Sequence, residues 1–103
     1  MSRMGQISLA AGSTTGAGTG YDNSGVYANH TLVTIGSAGI SAGAVQLQGS
    51  LDNVNWVNLG TPITLTASTV QVTNVASTPF QFIRANVSTN VTGGTVSAWV
   101  ASA

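Results

Sequence analysis

Apolar and polar side chains alternate along much of the chain, and turn-forming residues interrupt the alternation at intervals of about 8–12 residues. The run Val26 to Ile35 (Val-Tyr-Ala-Asn-His-Thr-Leu-Val-Thr-Ile) is rich in β-branched and aromatic residues and ends at Gly36-Ser37-Ala38-Gly39, so it predicts one long strand. From Ala44 to Leu51, Val45, Leu47 and Leu51 share one parity while Gln46, Gln48 and Ser50 take the other, the period of a half-buried strand. Asp52-Asn53-Val54-Asn55 then predicts a reversal, because Asp and Asn side chains bond back to their own backbone and tolerate turn dihedrals.

Trp56-Val57-Asn58-Leu59 reads as the returning strand, interrupted by Gly60-Thr61-Pro62, since proline lacks the donor that a central strand position needs. Ile63 to Thr66 and Val70 to Thr73 repeat the alternation as two further strands. Phe80 to Val87 has apolar groups on both parities, as expected near the centre of a sandwich, and Thr95 to Val100 closes the series after a turn at Asn90 to Gly94. No segment carries an i, i+3, i+4 apolar stripe, and Glu and Lys, two strong helix formers, are absent. The expected fold is all-β with essentially no helix: an antiparallel β-sandwich, jelly-roll-like or immunoglobulin-like, of seven to eight strands.

The first twenty residues differ from the rest. Ile7 and Leu9 alternate with Gln6 and Ser8 as a strand would, and a Gly/Ser/Thr-rich stretch follows from Gly12 to Gly20. The expected organisation is an N-terminal arm over 1–20, docking on the body or on a neighbour, and a β-sandwich domain over 21–103.

Composition sharpens the picture mainly through charge. Arg3, Asp22, Asp52 and Arg84 are the whole ionised inventory, 4% of 103 residues, where an ordinary soluble domain has about 25%. Thr- and Asn-rich strands can drift to low charge, but the same depletion marks surfaces covered in a permanent assembly. Zero net charge with no basic cluster argues against a nucleic-acid partner. Without cysteine there are no disulfides or thiolate metal sites. No apolar run approaches the ~20 residues of a membrane helix, and no signal-peptide pattern is present, so a soluble protein made in the cytoplasm is expected, with no membrane partner.

Catalytic chemistry has little to work with. Only Asp22, Asp52 and His30 could act as general acids or bases, and both carboxylates lie in turn-like contexts. One His and two separated Asp fall short of a zinc site, and neither a Gly-x-Ser-x-Gly elbow nor a phosphate loop occurs. The expectation is a non-enzyme with no catalytic, metal or cofactor site. His30, inside a strand, reads as a partly buried or interface residue. Arg84 lies in the most apolar strand, where a lone charge is costly, so it should be satisfied by Asp52, by backbone carbonyls or by a neighbouring subunit. Trp56 and Trp99 are expected in the core or at a subunit interface.

The stretch from Val45 to Gly60 (Val-Gln-Leu-Gln-Gly-Ser-Leu-Asp-Asn-Val-Asn-Trp-Val-Asn-Leu-Gly), with Phe82-Ile83-Arg84-Ala85-Asn86-Val87, resembles a signature of discoidin-like jelly rolls and of many small bacteriophage virion proteins. Asn53 stands where that pattern usually has Gly, a change the turn tolerates. The long ligand-bearing loops of larger discoidin domains have no room here. The resemblance implies a capsid decoration (cement) protein on the exterior of a virion, a homotrimer that bridges major capsid protein subunits. Ile7 and Leu9 of the arm, with Tyr21, Tyr27 and His30, are the expected inter-subunit contacts. A carbohydrate- or host-receptor-binding module of a fibre, spike or tail is the alternative.

Overall fold

The computed structural model describes residues 3–12, 16–76 and 80–102. Nine strands follow one another: β1 (Arg3–Gly12), β2 (Gly16–Ala17), β3 (Tyr21–Tyr27), β4 (His30–Gly36), β5 (Ala42–Ser50), β6 (Trp56–Thr64), β7 (Val70–Val75), β8 (Phe80–Thr92) and β9 (Val96–Ser102). No helix occurs among the described residues. One sheet has the order β1-β9-β4-β7; the other runs β2-β8-β5-β6, with β3 also on β8. All pairings are antiparallel.

Gly16–Ala17 and Tyr21–Tyr27 lie along the same edge of β8, opposite Val87–Asn86 and Ile83–Phe80, so β2 and β3 act as one interrupted edge strand. Counted that way, the two sheets have four strands each in the order of a jelly roll.

The core between the sheets is aliphatic. Leu32, Val45, Leu47, Ile83, Ala85, Val87, Val96, Ala98 and Val100 are essentially solvent-free, and Leu9, Leu59, Ile63 and Leu65 close its margins. Strict alternation in β4 and β9 places Leu32, Val96, Ala98 and Val100 inward and Val33, Ile35 and Trp99 outward. Gly49 is required by close packing: a Cβ there would stand 2.8 Å from Phe80 and 2.9 Å from Leu59.

Several boundaries differ from the sequence reading. The single strand expected over 26–35 is two strands in different sheets, with the chain crossing between them at Ala28-Asn29. Gly60-Thr61-Pro62 does not end β6. Leu47 faces Leu59 while Val45 faces Ile63, so the extra β6 residues form a bulge, permitted by φ of +71° at Gly60. β6 is an edge strand, which is where Pro62 is tolerated. Ile63 therefore belongs to β6, and the expected strand over 63–66 ends at Thr64. In β5, Gln46 and Ser50 are buried and Leu51 is exposed, the reverse of their polarity.

Residues 3–12 are built into the sandwich as β1, paired with β9, and Leu9 joins the core. Ser8 ties this edge across to the other sheet: its hydroxyl accepts from Ala85 N at 2.9 Å and donates to Thr19 O at 2.7 Å.

Candidate functional site

The two outer faces of the sandwich differ in chemistry. On the four-stranded sheet, Ile7 pairs with Trp99, Trp99 with Val33, and Val33 with Val72. These four residues form one lateral apolar row across β1, β9, β4 and β7. Beside it, Ser97, Ile35 and Val70 form the next row. Ile7, Ile35, Val70 and Val72 are 41%, 40%, 59% and 56% exposed, so four of the seven large exposed hydrophobics among the described residues gather on this face. Thr31 and Asn74 form a neighbouring polar pair, hydrogen-bonded at 2.7 Å. None of the side chains described on this face is charged. Apolar residues gathered on one face make it a candidate interaction surface, whereas scattered exposed Val or Ile residues need no explanation.

The opposite outer face carries a hydrogen-bonded polar row beside the Trp56 ring. Arg84, Gln48 and Asn58 stand side by side across β8, β5 and β6. Arg84 Nε donates to Gln48 Oε1 at 2.8 Å, and Gln48 Nε2 donates to Asn58 Oδ1 at 3.0 Å. The Arg84 guanidinium also lies 4.0 Å from the Trp56 ring centroid. Arg84 thus takes a neutral amide and an aromatic face, not Asp52, as its partners. Partial burial lowers its pKa from the ordinary arginine value. Gln46 is buried because its amide donates to the carbonyls of Leu47, Leu59 and Gly60 at 3.0, 2.9 and 3.2 Å, satisfying the backbone that the β6 bulge leaves open.

Asp52 organises the β5–β6 turn. Its Oδ1 accepts from Val54 N at 2.9 Å, Asn55 N at 2.8 Å and the Ser50 hydroxyl at 2.9 Å, while Oδ2 accepts from Asn55 Nδ2 at 2.7 Å. Asn53 adopts φ of +61°, as the turn reading expects. The backbone donors of Asn55 and Val54, then the side-chain donors, hold the carboxyl well below the usual carboxylate range.

The residues expected at subunit contacts do not form one cluster. Ile7 lies on the apolar row, but Leu9 faces the core of its own chain. Tyr21 packs against that core, and its hydroxyl donates to the carbonyl of Ile7. The backbone of Tyr27 pairs with Phe80, and its side chain lies outside the described residues. His30 is fully buried with Nδ1 2.7 Å from the Ser102 hydroxyl, so it is not on a surface of the chain. Trp56 and Trp99 are half-buried on opposite outer faces. No cluster of three or more His, Cys, Asp or Glu occurs among the described residues.

Sequence reading missed Val33, Ile35, Val70 and Val72 as surface residues. Each lies in an alternating strand, but alternation alone does not say which parity faces out when both carry apolar groups. The excess of valine and isoleucine over charge on β4 and β7 was the available signal.

Taken together, the chain has the fold of a compact antiparallel jelly roll, with an apolar row on one outer face and a hydrogen-bonded polar row on the other. Among solved structures it is similar to the SPBc2 prophage-derived protein YomS, with a TM-score of 0.66 and 12% identity over 100% of this chain and 96% of that one. A chain in the structure of infectious bursal disease virus Gx strain matches with a TM-score of 0.43 and 15% identity, over 96% of this chain and 29% of that one. No protein-family model matches the chain, and no curated protein matches it in sequence.

Proposed function

We propose that the protein is a structural component of a phage particle, a capsid decoration or cement protein that works by surface contact and not by catalysis. The observation that carries this reading is the uncharged apolar row Ile7–Trp99–Val33–Val72 on the outer face of the four-stranded sheet. Covering such a face contributes roughly 25 cal/mol for each Å² of apolar surface removed from water. Repeated over many copies, modest contacts of this kind sum to a large resistance of the shell to rupture. The full-length fold likeness to a prophage-derived protein supports a phage origin. In this reading the partners are major capsid protein subunits and other copies of the chain, on the outside of the capsid.

Cryo-electron microscopy of the parent particle tests the reading. Sandwich-shaped density on the head exterior, with the four-stranded sheet turned toward a neighbour, is expected; density confined to the tail, or none on the particle, contradicts it.

A glycan- or receptor-binding role stands second, because Trp56 is half-buried beside Asn53 and the Asp52 turn. Arg84 already covers one face of the indole, which leaves less of it for stacking on a sugar. Glycan binding that disappears in Trp56→Ala would favour this second role.

A further inference from the structure

The sandwich ends in four strand edges, and three of them carry features that discourage pairing with another chain. β1 has three register shifts against β9, and the carbonyl of Ser8 is taken by Thr19 N at 2.7 Å. The β2/β3 edge is interrupted at 18–20, shifts register between Asp22 and Tyr27, and carries the Asp22 charge. β6 contains Pro62 and the Gly60 bulge. Bulges, proline, charge and broken strands are the usual protections of a sheet edge.

β7 has none of these. Val70-Gln71-Val72-Thr73-Asn74-Val75 contains no proline, glycine or charge, and its register to β4 is unbroken from Ile35–Val70 to His30–Val75. The strand closes its sheet, so alternate backbone N–H and C=O groups point away from β4. Its position is also fixed: Gln71 accepts from Thr66 N at 3.0 Å and donates to Thr64 O at 2.9 Å.

We infer that β7 is a docking edge for a second copy of this chain, which pairs its own β7 antiparallel about a two-fold axis centred on Val72. An axis normal to the sheet keeps the outer faces together. Centring it on Val72 places Val72 against Val72, Val70 against Asn74 and Gln71 against Thr73, with no like charges opposed. The apolar row Ile7–Trp99–Val33–Val72 then continues into the same row of the second copy, across an eight-stranded sheet. The strand carries no charge, so two identical copies meet without like-charge repulsion, and a two-fold pair is the commonest closed assembly of identical chains, which favours this occupant over a foreign strand. The pairing closes at two copies, in place of the trimer implied by resemblance.

The chain has no cysteine, so one introduced thiol reports on one position. Directly opposed residues on antiparallel strands have Cα atoms about 4.5–5.5 Å apart, within disulfide range. Val72→Cys is exposed in the parent fold and should be tolerated, which circular dichroism checks; Val54→Cys, on the β5–β6 turn, is the control. The purified protein should sediment as a dimer at about 100 μM, ample for a Kd of about 10 μM. Under mild oxidation Val72→Cys should be trapped as a covalent dimer at several times the yield of Val54→Cys. Thr73→Lys, which places two ammonium groups near the axis, should halve the sedimenting mass.

A parent protein that sediments as a monomer overturns the inference, as does an oligomer in which the Val72→Cys thiols stay free. No particle enters the experiment, so either result leaves the proposed virion role to be judged separately. Conversely, a dimer that fails to bind particles would sink that role and not this one.

Discussion

The guanidinium of Arg84 lies 4.0 Å from the centroid of the Trp56 ring, while its Nε donates to Gln48. A cation on β8, an interior strand of its sheet, thus takes a neutral amide and an aromatic ring, with no carboxylate partner among the described residues. Cation–π contact at a partly exposed site contributes about 0.5–1 kcal/mol, and a hydrogen bond from a charged donor about 1.5–3 kcal/mol. Arg84→Ala should therefore lower stability by about 2 kcal/mol, and Arg84→Lys by about 1 kcal/mol because the ammonium cannot stack as a plane. Urea denaturation checks both. An Arg84→Ala protein as stable as the parent would contradict the assignment.

Ser8 is a buried hydroxyl that accepts from Ala85 N and donates to Thr19 O. Ser8→Ala leaves a buried N–H without its acceptor and should cost about 1–3 kcal/mol. The same urea titration reads it, and a change under 0.5 kcal/mol would count against the tie between β1 and β8.

Thr34 is completely buried, and its hydroxyl has no partner among the described residues. Replacing that hydroxyl by a methyl group of similar volume removes an unmet desolvation cost. Thr34→Val should raise stability by about 1 kcal/mol, seen as a higher thermal midpoint.

The Asp52 carboxyl has a folded-state pKa depressed from its ordinary value of about 3.8. Its contribution is fully present above that value and declines as pH falls below it toward the folded pKa. Stability measured by urea at descending pH should fall below about pH 4, and Asp52→Asn should flatten that fall. Equal acid sensitivity in the two proteins would show that the turn does not depend on the ionised carboxylate.

Much of the fold was legible because period-two alternation and turn chemistry agree from Ala44 to Leu59. Val45 and Leu47 face inward, and Asn53 takes the left-handed turn position. The crossing at Ala28-Asn29 was hidden because β3 and β4 are contiguous β-forming sequence and only tertiary pairing assigns them to different sheets. Buried Gln46 and Ser50 were misjudged for a related reason. Gln46 meets carbonyls exposed by a bulge in another strand, and Ser50 accepts from Asp52 N and Asn53 N in a tight turn. The apolar face was legible as composition but not as a place, since it exists only once β1, β9, β4 and β7 are set side by side.

The central claim is that the outer face of the four-stranded sheet is the working surface. Ile35 is 40% exposed on that face, on β4 beside Val70 and not on the edge strand itself, so Ile35→Lys should fold with a stability change of about 0.5 kcal/mol or less. Co-sedimentation with purified heads of the parent phage, counted as copies bound per head, measures the claim directly. The parent protein should saturate the heads, and folded Ile35→Lys should bind at least tenfold more weakly; equal occupancy by the two proteins would contradict the account.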